Sequence, residues 1–443
     1  MAATARTFGT AKPLLSLQLL RTQDGDIDGL NIIHIAGTKG KGSTCAFVDS
    51  FLRAYGERAG FPSKTGLYTS PHLIYPEERI RINSKPLERS VFAKYFFEVF
   101  ETLSQRDPAV FETKPRFLQL FLLVAFHTFI REGVDAAIFE THHGGEYDAT
   151  NVIRRPVVTA ITSLGMDHVS QLGPSIENIA WHKSGIFKPG AAAFSVIQEA
   201  HADKVLRQRA LDRGVDLHFI QSDSSLPKQE MNLKPDVQRL NCSLASAVAR
   251  SFLDQRAPSD SPQFGSTDVL NGIHQFSWPG RFQTIIQGVN QWYLDGAHNE
   301  MSVTKAADWF IETPGTQRPP RPRILIFSQV SKQRDATAVL ESLATSFKPG
   351  EIHYAIFPTY DPRQDLDSMT DLKPEASIIS EQRSFSTIWK KIHPASKVIS
   401  APTVTLALDA ARDIGKMNSG MQTLITGSQH LVGEALFVLK RAV

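Results

Sequence analysis

The sequence has 443 residues, of which 42% are hydrophobic and 21% charged, and its formal net charge is +3. This length predicts two or three domains with sizeable cores, and so weak a charge without a dense Lys/Arg block argues against a nucleic-acid-binding protein. Only two cysteines, Cys45 and Cys242, are present, which excludes a disulfide scaffold or a thiolate zinc site and favours a reducing compartment.

Residues 1–22 are predicted to form a first helix whose buried face carries the leucines Leu14, Leu15, Leu17, Leu19 and Leu20. The segment also has an arginine and few acidic residues, so a weak mitochondrial transit peptide is the alternative interpretation. No apolar run in the sequence reaches the ~18–20 residues that a bilayer-crossing helix needs. We therefore expect a cytoplasmic protein that binds no membrane, with a mitochondrial form as the alternative.

Strands and helices alternate through the first half of the chain. Apolar, β-branched runs of strand length lie at 31–37, 134–141, 157–164, 191–198 and 215–222, and helical patterns cover 117–133 and 175–187. Strands that are apolar on both faces and alternate with helices indicate a parallel sheet covered on both sides. Right-handed crossovers then predict a doubly wound α/β domain.

The composition changes at residues 254–274, which are rich in Ser, Pro, Asp and Gly and are predicted to form a loop. The alternation resumes afterwards with strand patterns in "QWYLDGAHN", "RILIFSQV", "EIHYAIFP" and "MQTLITGS". We therefore predict a larger N-terminal domain over residues 1–286 and a smaller, Rossmann-like α/β domain over residues 287–443.

The stretch Asn31–Thr44, "NIIHIAGTKGKGST", joins a predicted strand to a predicted helix through a glycine-rich turn. Such a turn lets backbone N–H groups converge on anionic oxygens, and the start of the helix adds its dipole. Lys41 would contact the β- and γ-phosphates, and Ser43 or Thr44 would offer a hydroxyl to a phosphate or its metal. The N-terminal domain is therefore predicted to be a P-loop domain that binds a nucleoside triphosphate.

This turn departs from the common pattern G-x-x-x-x-G-K-[ST]. Only Thr38 and Lys39 separate Gly37 from Gly40, and Gly42 stands between Lys41 and the hydroxyl residues. A Gly/Lys-rich surface turn is the alternative, and the preceding strand and following helix argue against it.

The same residues carry a resemblance to a known family. "AGTKGKGS" resembles the nucleotide loop of folylpolyglutamate synthases, within the superfamily of Mur ligases, and "KTGLYTSPHL", "ERIRIN", "GGEYDATNVI", "TSLGMDH", "KSGIFKPG", "WPGRF", "LDGAHN" and "TGSQHLVG" follow in the family's order. The resemblance covers Asn31 to Gly433. It implies a Mur-ligase-type fold, the cofactors ATP and Mg²⁺, and an enzyme that joins glutamate to the glutamate of tetrahydrofolate through an acyl phosphate.

The resemblance also implies roles for residues of the first domain. Gly37, Thr38, Gly40, Lys41, Gly42 and Ser43 would bind ATP, and Asn241 would contact its adenine. Glu140 ends a strand, at the sheet edge where open α/β folds bind ligands. Glu140 and Ser70 would bind the Mg²⁺ that bridges the terminal phosphates, and His168 would lie near a second Mg²⁺. A solvated acid for Glu140, a structural histidine for His168 and a surface amide for Asn241 are the alternatives.

Four further residues gain roles by resemblance. Lys183 resembles a lysine that these ligases carbamylate, which turns a cation into a metal-binding carboxylate and requires a depressed pKa. From the residue alone, Lys183 would be a lysine on a helix surface. Arg281 would be a cation on the γ-phosphate, Asp295 would bind the ribose hydroxyls, and His298 would lie near the nucleotide and acceptor. Together they imply an active site in the cleft between the domains.

The sequence departs from the family's pattern on the acceptor side. The usual run E-V-G-x-G-G reads "ETHHGG" here, so that His142 replaces a glycine and could narrow the site, add a ligand or turn outward. Glu77 stands where an arginine is common. An added carboxylate there should repel a polyanionic glutamyl tail by about 1 kcal/mol at a distance near 4 Å, so Glu77→Arg is expected to improve the use of folate.

These departures leave other functions open. A paralogous ligase that joins an amino acid to a non-folate carboxylic acid is the runner-up, followed by a catalytically silent nucleotide-binding protein and a nucleic-acid-dependent ATPase. The retention of Lys41, Glu140 and Lys183 argues against a catalytically silent protein. The weak net charge argues against a nucleic-acid-dependent ATPase. We expect a monomer whose partners are small molecules, namely ATP, glutamate and folate or another acid.

Overall fold

The computed structural model describes residues 24–106, 116–312, 321–329, 335–359 and 375–441. Contacts within the chain divide it into two units, Met1–Ser277 and Trp278–Val443. The boundary predicted between residues 286 and 287 lies further along the chain, after a strand at Gln283–Gln287 that pairs with the strand Asn290–Leu294 of the second unit. The leucines of residues 1–22 lie outside the described residues.

The first unit is built on an eight-stranded sheet of order β4-β3-β2-β5-β1-β6-β7-β8. Strands β2, β5, β1, β6, β7 and β8 are parallel, and the antiparallel β3 and β4 extend one edge. The strands are β1 (Ile32–Ala36), β2 (Thr65–Tyr68), β3 (Ile80–Ile82), β4 (Lys85–Pro86), β5 (Ala136–Glu140), β6 (Val158–Ile161), β7 (Ala192–Val196) and β8 (Leu217–Ile220).

Helices cover both faces of this sheet. Every residue of β1 and β5 is buried, and consecutive residues of a strand point to opposite faces, so neither face is open to water. The helices are α1 (Asp24–Asp28), α2 (Lys41–Ala59), α3 (Arg89–Arg106), α4 (Phe117–Glu132), α5 (Val169–Leu172), α6 (Ile176–Lys183), α7 (Ala200–Asp212), α8 (Asp236–Arg256) and α9 (Ser266–Gln275). The predicted doubly wound, mostly parallel α/β fold is confirmed.

The loop predicted at residues 254–274 is wrong over its second half, where α9 forms and packs on α2. Its Asp268 accepts a hydrogen bond from the backbone N–H of Gly265 at 2.9 Å, so polar residues typical of a loop act here as the start of a helix. Gly272 allows the close approach, because a Cβ there would lie 2.3 Å from the Phe51 ring.

The second unit is a smaller α/β domain with a six-stranded sheet of order β13-β12-β11-β14-β10-β9. All of its neighbouring strands are parallel except β9 and β10, which fits the predicted Rossmann-like domain. The elements are β9 (Gln283–Gln287), β10 (Asn290–Leu294), α10 (Glu300–Glu312), β11 (Arg323–Phe327), α11 (Ala336–Thr345), β12 (Tyr354–Pro358), α12 (Glu375–Ile392), β13 (Lys397–Ala401), α13 (Val404–Met417), β14 (Gln422–Thr426) and α14 (Gln429–Arg441).

Within the described ranges, no helix combines the length and the apolar character that a membrane crossing requires. Cys45 and Cys242 are both buried and form no disulfide. Burial also raises the pKa of the Cys45 thiol well above its usual value and that of Cys242 to about 12, so both sulfurs stay protonated and act as small core side chains.

Candidate active site

The glycine turn between β1 and α2 has room for glycine alone at two positions. Gly37 and Gly40 adopt positive φ angles of 151° and 87°. A Cβ on Gly37 would lie 1.8 Å from Thr162 Oγ1, and one on Gly40 would lie 2.3 Å from Asn241 Oδ1. The conformation of the turn therefore depends on these glycines. At the start of α2, the turn packs against Asn241. Because Asn241 is buried, the alternative of a surface amide is wrong.

The turn is tied to the strand beside it. The backbone N–H groups of Thr38 and Lys39 both donate to the carbonyl oxygen of Ser163, at 3.0 and 3.1 Å. The Thr38 hydroxyl donates to the carbonyl of Gly165 at 3.1 Å. Ser163 follows β6, so the carboxyl ends of β1 and β6 hold the turn at one edge of the sheet.

Lys41, the first residue of α2, lies between the turn and a carboxylate. Its Nζ donates to the carbonyl oxygen of Gly37 at 3.1 Å and lies 3.8 Å from Glu140 Oε1. Gly42 and the buried Ser43 follow in the first turn of the same helix. A lysine and the start of a 19-residue helix place a charge and a helix dipole where an anionic ligand is stabilised.

Glu140 and Ser70, the two residues that the family resemblance assigns to Mg²⁺, are in contact. Glu140 ends β5, next to β1 in the sheet, and its Oε2 accepts a hydrogen bond from the backbone N–H of Ser70 at 3.1 Å. In the described part of the chain, no three His, Cys, Asp or Glu side chains converge as a ready-made metal site. Mg²⁺ is commonly held by one or two carboxylates together with substrate phosphates, so these oxygen donors beside the glycine turn suit it.

Lys183 is buried, with 3% of its surface exposed, so the alternative of a surface lysine is wrong. Its Nζ donates to the carbonyl oxygen of Gly37 at 2.7 Å. Burial, and after it the charge of Lys41, holds the pKa of the Lys183 amine well below its usual value. The neutral amine that reacts with CO₂ is therefore favoured at this position.

His168 is connected to the glycine turn through Asp167, which contacts both His168 and Lys39. Its backbone has φ 51°, and its backbone N–H donates a hydrogen bond to Asp167 Oδ1 at 3.0 Å. The other oxygen of Asp167 pairs with Lys39 Nζ at 3.1 Å. The ring of His168 packs against that of His143, with centroids 4.4 Å apart.

The two histidines after Glu140 differ in their surroundings. His142 is buried and its Nε2 forms a 2.7 Å hydrogen bond with the hydroxyl of Tyr68, and burial lowers its pKa to about 4. His143 is solvent-accessible, and its backbone N–H donates to Asp148 Oδ2 at 2.6 Å. The ring of His142 therefore lies in the protein interior, so the outward turn, one of the outcomes predicted for it, is wrong.

The segment "TSPHL" is fixed by residues that the sequence analysis missed. The carboxylate of Glu78 accepts hydrogen bonds from the backbone N–H groups of Leu73, Ile74 and Tyr75, at 2.9 to 3.3 Å for the shortest to each. In the segment after Glu140, the carboxylate of Asp148 likewise accepts hydrogen bonds from the backbone N–H groups of His143 and Thr150. The sequence did point to Glu78, because an acidic residue shortly after a proline often accepts hydrogen bonds from free backbone N–H groups at the start of a helix.

Glu77, the position of reversed charge, has a partner. Its Oε1 accepts a hydrogen bond from Arg89 Nε at 3.1 Å, and the Arg89 guanidinium lies over the ring of Tyr75 at 4.6 Å. The carboxylate is therefore largely compensated, which weakens the repulsion that its charge alone predicts.

In the second unit, Arg281, Asp295 and His298 surround one glycine, Gly296. A Cβ on Gly296 would lie 2.4 Å from Arg281 Nη1, and the carbonyl of Gly296 is 2.8 Å from His298 Nδ1. Asp295 follows β10 and accepts hydrogen bonds from the backbone N–H groups of Phe282 and Ala297, both at 2.9 Å. The three predicted residues of this unit thus form one cluster at the end of a strand.

Comparisons by sequence and by fold both find folylpolyglutamate synthases. No family model matches the chain. The folylpolyglutamate synthase of Neurospora crassa is 39% identical over 450 residues, covering 94% of this chain and 83% of the relative. A probable folylpolyglutamate synthase of Schizosaccharomyces pombe is 36% identical, covering 96% of this chain and 87% of the relative.

Solved structures of this kind share the fold. A Mycobacterium tuberculosis folylpolyglutamate synthase complexed with ADP and AMPPCP has a TM-score of 0.77 at 23% identity, covering 97% of this chain and 95% of the other. A folylpolyglutamate synthase complex with AMPPCP and folate has a TM-score of 0.73 at 21% identity, covering 99% and 96%. Both similarities extend over both α/β units.

Proposed function

The chain belongs to the folylpolyglutamate synthase family, and from this premise we propose which residues carry out its reaction. The protein is an ATP-dependent ligase that adds L-glutamate, by an amide bond, to the glutamate of a tetrahydrofolate. The observation that carries the assignment is the convergence of Lys41 and Lys183 on the carbonyl oxygen of Gly37, at 3.1 and 2.7 Å, with Glu140 beside Lys41.

The glycine turn holds the triphosphate. Backbone N–H groups from Gly40 to Ser43, at the start of α2, offer hydrogen bonds and a positive dipole end to the phosphate oxygens. Lys41 moves from its contact with Gly37 to the β- and γ-phosphates, a shift within reach of a flexible side chain. Asn241, packed against Gly40, contacts the adenine.

The chain activates a carboxylate so that an amine can attack it. Transfer of the γ-phosphoryl group to the terminal carboxylate of the folate gives an acyl phosphate, and the amine of glutamate displaces phosphate from its carbonyl carbon. Lys41 stabilises the charge that moves between the two oxygens, which is the main contribution a protein makes to phosphoryl transfer.

Glu140 and Ser70 would hold a Mg²⁺ ion, and His168 would lie near a second. A bound Mg²⁺ neutralises phosphate charge and orients its oxygens. Glu140 supports this assignment by its place at the carboxyl end of β5 and by its contacts with Ser70 and Lys41. Lys183, once carbamylated, adds a further carboxylate beside Gly37.

In the second unit, Arg281 is the cation for the γ-phosphate, Asp295 binds the ribose hydroxyls, and His298 lies near the nucleotide and the acceptor. These assignments rest on the resemblance of "WPGRF" and "LDGAHN" and on the clustering of the three residues around Gly296. Arg281→Ala should therefore reduce turnover much more than the affinity for free glutamate.

Within this proposal the protein acts as a cytoplasmic monomer on small molecules and binds neither nucleic acid nor membranes. The free, buried cysteines support a reducing compartment. Gel filtration with light scattering tests the monomer, and imaging of the tagged full chain, cytosol against mitochondria, tests the compartment.

The deciding experiment measures ADP release with ATP, Mg²⁺ and L-glutamate in the presence of either a tetrahydrofolate or a panel of small carboxylic acids. ADP release that requires the tetrahydrofolate, with a product heavier by one glutamyl residue in mass spectra, is expected. Release with a non-folate acid alone would replace the acceptor, and tight ATP binding without release under any acceptor would indicate a silent nucleotide-binding protein.

A further inference from the structure

Two imidazole rings lie together beside the proposed metal-binding residues. The ring centroids of His143, in the loop after β5, and His168, just before α5, are 4.4 Å apart at an interplanar angle of 57°. We propose that His143 is a second imidazole ligand that, together with His168, makes one metal position of this enzyme prefer Mn²⁺ or Co²⁺ to Mg²⁺. This inference rests on the proposed function and adds the identity of the ion.

Backbone hydrogen bonds fix the main chain at both histidines. The N–H of His143 donates to Asp148 Oδ2 at 2.6 Å, and the N–H of His168 donates to Asp167 Oδ1 at 3.0 Å. Asp167 is itself fixed by the 3.1 Å ion pair with Lys39. Ligands that are held before the ion arrives lose little freedom on binding it, which raises affinity.

The spacing of the rings matches a shared ion. A metal about 2.1 Å from one nitrogen of each imidazole lies ~3.2 Å from each ring centroid, so two rings at neighbouring positions of an octahedron have centroids ~4.5 Å apart. The observed separation is 4.4 Å, and the tilt of 57° departs from the parallel arrangement of stacked rings.

Of the two adjacent histidines, His143 is the one that can accept a ligand. Its side chain is solvent-accessible, and in the part of the chain that the structure describes its imidazole makes no hydrogen bond to another side chain. His142, in contrast, is buried and bonded to Tyr68. A metal ion can therefore bind the His143 ring without breaking a side-chain hydrogen bond of that ring.

The charges around His143 have both signs. Asp148 and Asp167 favour a cation there, and Lys41 and the protonated form of Lys183 oppose it. Carbamylation would convert Lys183 from an opposing to a favouring group, and phosphate bound at the turn would neutralise Lys41. The ion should therefore bind most tightly when nucleotide and bicarbonate are both present.

The ligand type sets the preference. Imidazole nitrogen binds Mn²⁺ and Co²⁺ more strongly than Mg²⁺, which prefers oxygen ligands and releases its water reluctantly. An extra nitrogen ligand thus gains more affinity for the transition metals than for Mg²⁺.

The test is a titration of the full chain with Mn²⁺, in the presence of AMPPCP and bicarbonate, followed by the electron paramagnetic resonance signal of free Mn²⁺. Pulsed measurements of the bound ion detect coordinated imidazole nitrogen. The variants are His143→Leu, His168→Leu and, as a matched control, His201→Gln, which removes an exposed histidine paired with Glu177 at 3.2 Å. Competition with Mg²⁺ gives the ratio of the two dissociation constants.

In the wild type and in His201→Gln, nitrogen modulation from two imidazoles is expected. His143→Leu should remove one of them, weaken Mn²⁺ binding about tenfold and lower the Mn²⁺/Mg²⁺ selectivity by a similar factor. Unchanged nitrogen modulation in His143→Leu overturns the inference, whatever the activity of the variant.

A separate measurement, the binding of AMPPCP, tests the proposed function. If the wild type does not bind AMPPCP, measured by calorimetry, the assignment of the glycine turn is wrong. If His143→Leu binds AMPPCP with full affinity and loses the modulation from one imidazole nitrogen, both proposals are supported. If it binds AMPPCP with full affinity and keeps the modulation from both, only the assignment of His143 as a ligand is overturned.

Discussion

The side-chain amine of Lys183 donates a 2.7 Å hydrogen bond to the carbonyl oxygen of Gly37. This bond joins the last residue of α6 to the first residue of the glycine turn, which are far apart in sequence. The bond holds the buried amine of Lys183 beside Lys41, whose charge favours the neutral form of that amine. The same bond fixes the carbonyl of Gly37, so a change at Lys183 also alters the glycine turn.

We expect Lys183 to be carbamylated at neutral pH in bicarbonate. The neutral amine attacks CO₂, a C–N bond forms and one proton is released, and its depressed pKa keeps the amine neutral at a pH where an exposed lysine is charged. A carbamate carbon signal should appear in NMR spectra of the protein in ¹³C-bicarbonate. It should be absent in Lys183→Arg, and its presence there would assign the signal to another amine.

Lys41→Ala should lower kcat/KM by about 10²–10³-fold, because one preorganised positive group at the transferring phosphoryl group is lost. The free energy of unfolding should change by only about 1–2 kcal/mol, since the side chain loses its hydrogen bond to Gly37 and its 3.8 Å ion pair with Glu140. Steady-state kinetics and urea denaturation measure both quantities, with Lys85→Ala on the exposed β4 as the control. Retained turnover in Lys41→Ala would contradict the assignment of the turn.

Removing Arg89 should expose the charge of Glu77 to the acceptor. Arg89→Ala is expected to raise the KM for a polyglutamylated folate roughly fivefold, which corresponds to about 1 kcal/mol of repulsion. Glu77→Gln alone should have little effect, and the double variant should return KM towards the wild-type value. If Arg89→Ala and the double variant have the same KM, the carboxylate of Glu77 does not act on the substrate, and the gain expected for Glu77→Arg also disappears.

Stability should decrease as the pH falls from 6.5 towards 4. Burial lowers the pKa of His34 to about 3 and that of His142 to about 4, while both are near 6.5 in the unfolded chain. In this window the unfolded chain binds more protons than the folded one, so unfolding is favoured as the pH falls, by roughly 3 kcal/mol for His142 alone. Urea midpoints between pH 8 and 4 should fall less steeply in His142→Asn than in the wild type or in His218→Gln, an exposed control.

The glycine turn could be predicted because its signal is local. A buried strand, glycines at 37 and 40 and the helix after Lys41 are contiguous, and the structure forms them in that order. The place of Glu140 also follows from sequence, since it ends a parallel strand and such ends meet at one edge of the sheet.

The surroundings of Lys183 and Glu77 could not be predicted in the same way. Whether Lys183 is buried depends on how α6 packs against the turn, and the partner of Glu77 is an arginine on another element. The helix α9 was missed for a different reason, because residues such as Gly265 and Asp268 are typical of both loops and helix starts.

The packing of α9 on α2 decides where the first unit can be cut. Asp268 forms an ion pair with Arg58 at 2.8 Å, and the ring of Phe276 stacks on that of Phe47 at 3.7 Å. A fragment that stopped at the end of α8 would leave the aromatic side of α2 facing water and would aggregate, whereas one that extended through Ser277 would keep it covered. Anyone expressing the first unit in isolation should therefore retain the Ser- and Pro-rich stretch as an integral part of it.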